Sequence, residues 1–193
     1  MNSPLQKLLT GQILLVICCV FYLIWWSISY RPGVSVNRAS GLNGALLLIT
    51  AVCGVTGMIL SLSGSNHLPG EGSRKFSGTL ILIAAAALYL VMLLLTTRVF
   101  HRIVTTELVL ITGWAALEIN AVSALAGASV FRMPQTMFMT IVIAAAYVIS
   151  MVLYVAYYRM QADRAFYAAM IPLITEAVSM AALVIVVLVS SRK

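Results

Sequence analysis

The chain has 193 residues, of which 62% are hydrophobic and only 9% charged. Soluble domains carry about 25% charged residues, so this composition excludes an ordinary soluble enzyme, a disordered chain and a coiled coil. A mean hydropathy of +1.05 makes lipid the natural solvent. The net charge of +7 comes from basic residues scattered between apolar runs, without the clustered stripe of a nucleic-acid binder. The lipid bilayer is the expected partner, and nucleic acid is not.

A helix needs about 20 apolar residues to cross the hydrocarbon core. Runs of that kind occupy residues 8–29, 42–62, 79–99, 106–128, 137–158 and 168–190. The first follows Lys7 and could be mistaken for a signal peptide. It is too long for an h-region and no small-residue cleavage site follows it, so it reads as a retained anchor. The connection 63–78 is rich in Gly and Ser, with Pro69 and the pair Arg74-Lys75; this is flexible-loop chemistry. Its stretch Gly70-Glu71-Gly72-Ser73 lacks phosphate-loop spacing and follows no strand. Pro32-Gly33 and Pro134 mark turns after the first and fourth segments. The fold class is therefore all-α: a polytopic integral membrane protein, a six-transmembrane-helix bundle forming one transmembrane domain over residues 1–193.

Orientation is balanced by charge. Lys7, Arg74, Lys75, Arg132, Arg192 and Lys193 fall on one side, against Arg31, Arg38, Arg98, Arg102, Arg159 and Arg164 on the other. The free α-amino group tips the expectation towards both termini in the cytoplasm, with the cell membrane as location. Trp25, Trp26, Tyr30, Tyr157 and Tyr158 gather on the opposite side as an aromatic belt. Ile81–Ala86 also resembles Ile141–Ala146, and each run leads into a helix with one deep glutamate. This is the pattern a duplicated hairpin would leave, and also one that low-complexity membrane sequence imitates.

The informative residues are those that lipid should exclude. Glu107 lies near the start of the fourth segment, Glu118 near its middle, and Glu176 near the middle of the sixth. A carboxylate at the bilayer centre costs about 2.5–3.5 kcal/mol on insertion scales, so Glu118 and Glu176 should face the bundle interior. At about 100° per residue, Glu107, Trp114 and Glu118 share one face and Asn120 points to the other. In the sixth segment Pro172, Glu176 and Ser179 share a face, with a kink expected where Pro172 frees the carbonyl of Ala168. Tyr89 and Tyr147 fall at similar depth in the third and fifth segments. The candidate ligand- or proton-binding set is Glu118, Glu176, Tyr89, Tyr147, Trp114, Asn120 and Ser179. The bland alternative is that these acids are neutral and lock helices together.

Glu107, close to Arg102 and the helix start, reads as a dipole-compensating acid. Tyr154, Tyr157 and Tyr158 read as interface anchors. Thr50, Cys53, Gly54, Gly57, Ser61 and Gly64 form a stripe of small residues on the second segment, the mark of a close helix seam or a dimer interface. Cys18, Cys19 and Cys53 all lie inside apolar runs and read as packing residues. His67 and His101 fall in expected loops, so haem ligation and a zinc-protease motif are missing, and no metal, cofactor or catalytic residue is assigned.

The leading functional expectation is a small multi-pass transporter or substrate-binding membrane subunit with a polar midplane cavity holding two glutamates, proton-linked, for a small-molecule or cation substrate. The alternative is a non-enzymatic sensor or assembly partner, associating with itself or with another membrane subunit, in which the glutamates are structural. A membrane-embedded acid–base hydrolase comes third, lacking an obvious nucleophile.

Overall fold

Hydrocarbon offers no water to backbone N–H and C=O groups, so each apolar run must satisfy them internally and becomes a helix. The computed structural model describes residues 3–32, 41–69, 78–99, 101 and 105–191, apart from the side chains of Ala162 and Asp163. Gly33, Arg38, the 70–75 stretch, Arg102, Arg192 and Lys193 lie outside the described residues. The helices are α1 (Ser3–Ser29), α2 (Gly41–His67), α3 (Gly78–Leu94), α4 (Thr106–Gly127), α5 (Met133–Tyr157) and α6 (Ala162–Ser190). All six are long and apolar enough to span a membrane, α3 counted with the π-helical turn Leu95–Val99 that extends it. The chain is an all-α six-helix membrane bundle.

The helices overrun the apolar segments at several ends, because a helix does not stop where hydrocarbon stops. Helix α2 continues through the expected loop start to His67, whose Nδ1 hydrogen-bonds the Ser63 carbonyl at 2.8 Å. His67 is thus helical, and the loop expected from residue 63 begins later. Pro134 does not mark a turn outside the helix but occupies the first turn of α5. Its missing N–H is lost where helical partners are absent anyway. Helix α6 begins before the apolar run at 168 and carries Pro172 inside it.

Packing inverts the logic of a soluble core. Helix α4 is the least apolar span and the most buried, touching α1, α2, α3, α5 and α6. Helix α3 is the most apolar and buries none of residues 78–94, leaning mainly on α4. Lipid tails are as apolar as leucine, so leucine-rich faces gain little by turning inward, and small and polar faces turn inward instead. The pairs α3–α4 and α5–α6 are unequal in consequence: α5 and α6 pack intimately, whereas α3 rests loosely on α4. The two hairpins suggested by the Ile/Ala runs are therefore not packed as equivalents.

The small-residue stripe of α2 forms an internal seam against α1, the most extensive helix contact in the protein. A Cβ built on Gly64 would fall on the Leu8 backbone, and one on Gly11 would fall on the Ser61 backbone. At Gly57 it would meet the Gly11 carbonyl at 3.0 Å. Gln12 Nε2 donates to Ser61 Oγ at 2.9 Å across the same seam, with both side chains fully buried. Gly44, on the open side of α2, has nothing within 4 Å. We expect Gly64→Ala or Gly57→Leu to lower stability by about 1–3 kcal/mol, the usual cost of overpacking. Gly44→Ala should be neutral or slightly stabilising, since alanine is the better helix former. Unfolding of the purified protein in detergent, followed by circular dichroism, checks this contrast.

Candidate functional site

The two deep acids lie in one layer. Glu118 of α4 and Glu176 of α6 are both fully buried. Ser179 Oγ, one turn beyond Glu176 on α6, donates to Glu118 Oε2 at 3.0 Å. Ser150 Oγ of α5 donates to Glu176 Oε1 at 3.1 Å. The carboxyls are close enough to interact electrostatically, and Cys19 of α1 lies within reach of both. The Cys19 thiol donates to the Leu173 carbonyl at 3.3 Å. Glu118 Oε1 and Glu176 Oε2 are buried without a hydrogen-bond partner.

Local helix periodicity explains this convergence. Pro172, Leu173, Glu176, Ser179 and Met180 are all buried on one stripe of α6, while Ile171, Ile174 and Val178 point outward. Helical spacing of three and four residues stacks these inward positions. Thr175 Oγ1 donates to the Ile171 and Pro172 carbonyls at 2.7 and 3.0 Å, supporting the backbone around the proline.

The expected set divides. Glu118, Glu176 and Ser179 come together. Trp114 is buried on the same side of α4, packed with Cys18, Cys19, Tyr22, Leu173 and Met180 as a wall beside the acids. Asn120 is buried on the other side of α4, its Oδ1 crowding Gly78 at the start of α3. Tyr147 is half-buried and lines an apolar groove between α3, α4 and α5, its hydroxyl near Thr112 of α4. Tyr89 is half-buried on α3, and no hydrogen bond joins it to either acid among the described residues. The hydrogen bonds to the acids come from serines rather than from these tyrosines. Tyr89 lies on α3, which packs at the edge of the bundle, mainly on α4. Ser150 escaped notice, although it is a lone hydroxyl between Tyr147 and Tyr154 on a helix face that those tyrosines marked.

A second acidic site lies towards the end of the bundle where α1 and α5 finish and α4 and α6 begin. Tyr22 of α1 donates its hydroxyl to Glu107 Oε1 of α4 at 2.8 Å. Around this bond is a pocket of about 280 Å³. Trp25, Trp26 and Tyr30 close it from the α1 side, and Tyr154 and Tyr157 from α5. Pro172 of α6 lines it as well, one helical turn before Glu176. Tyr22, Trp26 and Tyr154 are each only 5% exposed. Of the aromatic residues expected as an interfacial belt, Trp26 is buried, Trp25, Tyr157 and Tyr158 are half-buried and Tyr30 is exposed; Glu107 has a specific tyrosine partner besides its helix terminus. Neither Glu118 nor Glu176 lines this pocket.

No protein-family model, curated protein or solved structure matches the chain, so its function is read from its own geometry. The serine bonds give a direct energetic test. A hydrogen bond to a charged or strongly polar acceptor contributes about 1.5–3 kcal/mol in water-soluble proteins and about 1 kcal/mol between membrane helices. Ser179→Ala and Ser150→Ala should each lower stability by about 1 kcal/mol in a mixed-micelle unfolding titration. In combination with Glu118→Leu, which removes the acceptor, Ser179→Ala should show a coupling energy of similar size, which a double-mutant cycle measures.

Proposed function

We propose that this chain is a small multi-pass transporter or substrate-binding membrane subunit in which Glu118 and Glu176 are the proton- or cation-responsive groups. The observation that carries the reading is the paired carboxyls: fully buried, each held by one serine, each with one oxygen unpartnered. Carboxyls inside a membrane are expensive to keep, and two of them in one layer concentrate that cost at one point. A proton or a cation on the unpartnered oxygens offsets the cost, and losing it restores the electrostatic repulsion between α4 and α6. Charge at this layer and helix spacing are thereby coupled, which is what alternating exposure requires. The even number of spans puts both termini on one side, and we assign that side to the cytoplasm of the cell membrane.

A second reading, that the acids only fasten α4, α5 and α6, draws on the same serine bonds. It separates cleanly from the first. In lipid-reconstituted protein, the infrared band of a protonated carboxyl should change with pH or sodium concentration, and Glu118→Gln and Glu176→Gln should each remove part of that change while the helices stay folded. A parent protein whose carboxyl bands ignore both pH and sodium, with both glutamine variants as stable as the parent, would leave the acids as fasteners.

A further inference from the structure

We infer that the pocket around Glu107 binds a compact organic cation of the quaternary or tertiary ammonium class, with Glu107 as counter-charge and the surrounding rings as a cage. This site is separate from the midplane acids, and the inference does not depend on transport through them.

The lining is what such a ligand selects. Aromatic faces carry partial negative charge and attract a cation held near the ring, most strongly when water is excluded. Six aromatic residues line the pocket, and among the described residues its single acid is Glu107, with no lysine or arginine in the lining. The Tyr22 hydroxyl, itself almost fully buried, fixes one oxygen of that carboxylate. Ring packing makes the wall rigid: Trp26 stacks on Tyr30 at 5.3 Å and on Phe166 at 5.1 Å, and Tyr30 meets Trp25 edge-on at 5.9 Å. Tyr22 and Trp25 pack against each other at 5.3 Å, and Tyr154 and Tyr157 each meet Tyr158 edge-on at 5.4 Å; the parts of these four rings that line the pocket are what a guest meets. Tyr154 is set by the hydrogen bond its hydroxyl accepts from Tyr158 at 2.9 Å.

The chemistry also says what does not fit. Calcium and magnesium call for about six oxygen ligands, carboxylates prominent among them, and among the described residues this wall offers one carboxyl. A neutral apolar guest would offer the carboxylate no counter-charge beyond the Tyr22 hydroxyl and the start of α4. An ammonium with alkyl or aryl substituents satisfies both halves, its spread charge facing Glu107 and its carbon surface facing the rings. At about 280 Å³ the pocket lies just below the about 300–1,000 Å³ typical of drug-sized ligands, which selects a compact cation. If the rings served only as a membrane-interface belt, Tyr22, Trp26 and Tyr154 would face headgroups; they are buried.

Free ammonium compounds and choline lipid headgroups share this chemistry. The test is calorimetric titration of benzyltrimethylammonium into the purified full-length chain in lipid-free maltoside detergent. Saturable one-to-one binding is expected, with neopentylbenzene, its uncharged isostere, at least tenfold weaker. Glu107→Gln keeps an acceptor for the Tyr22 hydroxyl and should weaken the cation at least tenfold while leaving the neutral compound unchanged. Tyr157→Phe should retain binding and Tyr157→Leu should lose at least threefold, which separates ring face from hydroxyl. In nanodiscs, weaker probe binding in phosphatidylcholine than in uncharged digalactosyldiacylglycerol identifies a headgroup as the competing occupant, and equal binding identifies a free cation; both uphold the site. The inference is overturned if the parent shows no saturable binding, if the neutral isostere binds equally well, or if a monodisperse Glu107→Gln protein binds the cation as the parent does.

Discussion

In hydrocarbon, apolar contact does not tell one helix from another, because lipid offers every leucine an equally good neighbour. The architecture therefore depends on the few places where backbones can approach closely or where polar groups must find partners. Helices α1 and α2 meet where Gly11, Gly57 and Gly64 remove side chains from the interface and Gln12 reaches Ser61. Helices α4, α5 and α6 meet where Glu118 and Glu176 find Ser179 and Ser150. Helix α3 has one such approach, Gly78 against the Asn120 side chain, and otherwise rests at the edge. The same constraint makes the least apolar span the most buried one.

One side-chain type is used in two environments. Glu107 lies in a pocket of rings near the end of the bundle, bonded to a tyrosine hydroxyl, where a carboxylate can meet a ligand from outside. Glu118 and Glu176 lie fully buried deeper in the bundle, bonded to serine hydroxyls. The two sites are linked by adjacent turns of two helices. On α6, Pro172 lines the pocket and Glu176 follows one turn deeper; on α5, Tyr154 lines it and Ser150 lies one turn deeper. Both are i, i+4 steps, so these inward faces run without a break from one acidic site to the other.

Helix number, membrane class and approximate spans were legible in the residues, because they depend on apolar run length and composition, which are local properties. The inward placement of Glu118 and Glu176 was legible for a related reason: lipid excludes charge wherever the helix sits. The α2 seam was visible as a stripe, though whether it faced another helix or another copy of the chain was not. Register along one helix likewise put Ser179 on the face of Glu176.

Neighbours across helices were beyond that reach. Tyr89 and Tyr147 had suitable depth, yet depth along a helix says nothing about whether the helix is central or peripheral. Ser150 and Tyr22 became partners of acids only because α5 lies beside α6 and α1 beside α4. The aromatic residues and Glu107 seemed separate features of a membrane interface until four helix ends brought them into one pocket. Residue chemistry dictates what must avoid lipid, because transfer energy belongs to each residue. The tertiary structure alone decided which residues avoid it together, because that depends on the packing order of helices whose apolar surfaces are nearly interchangeable.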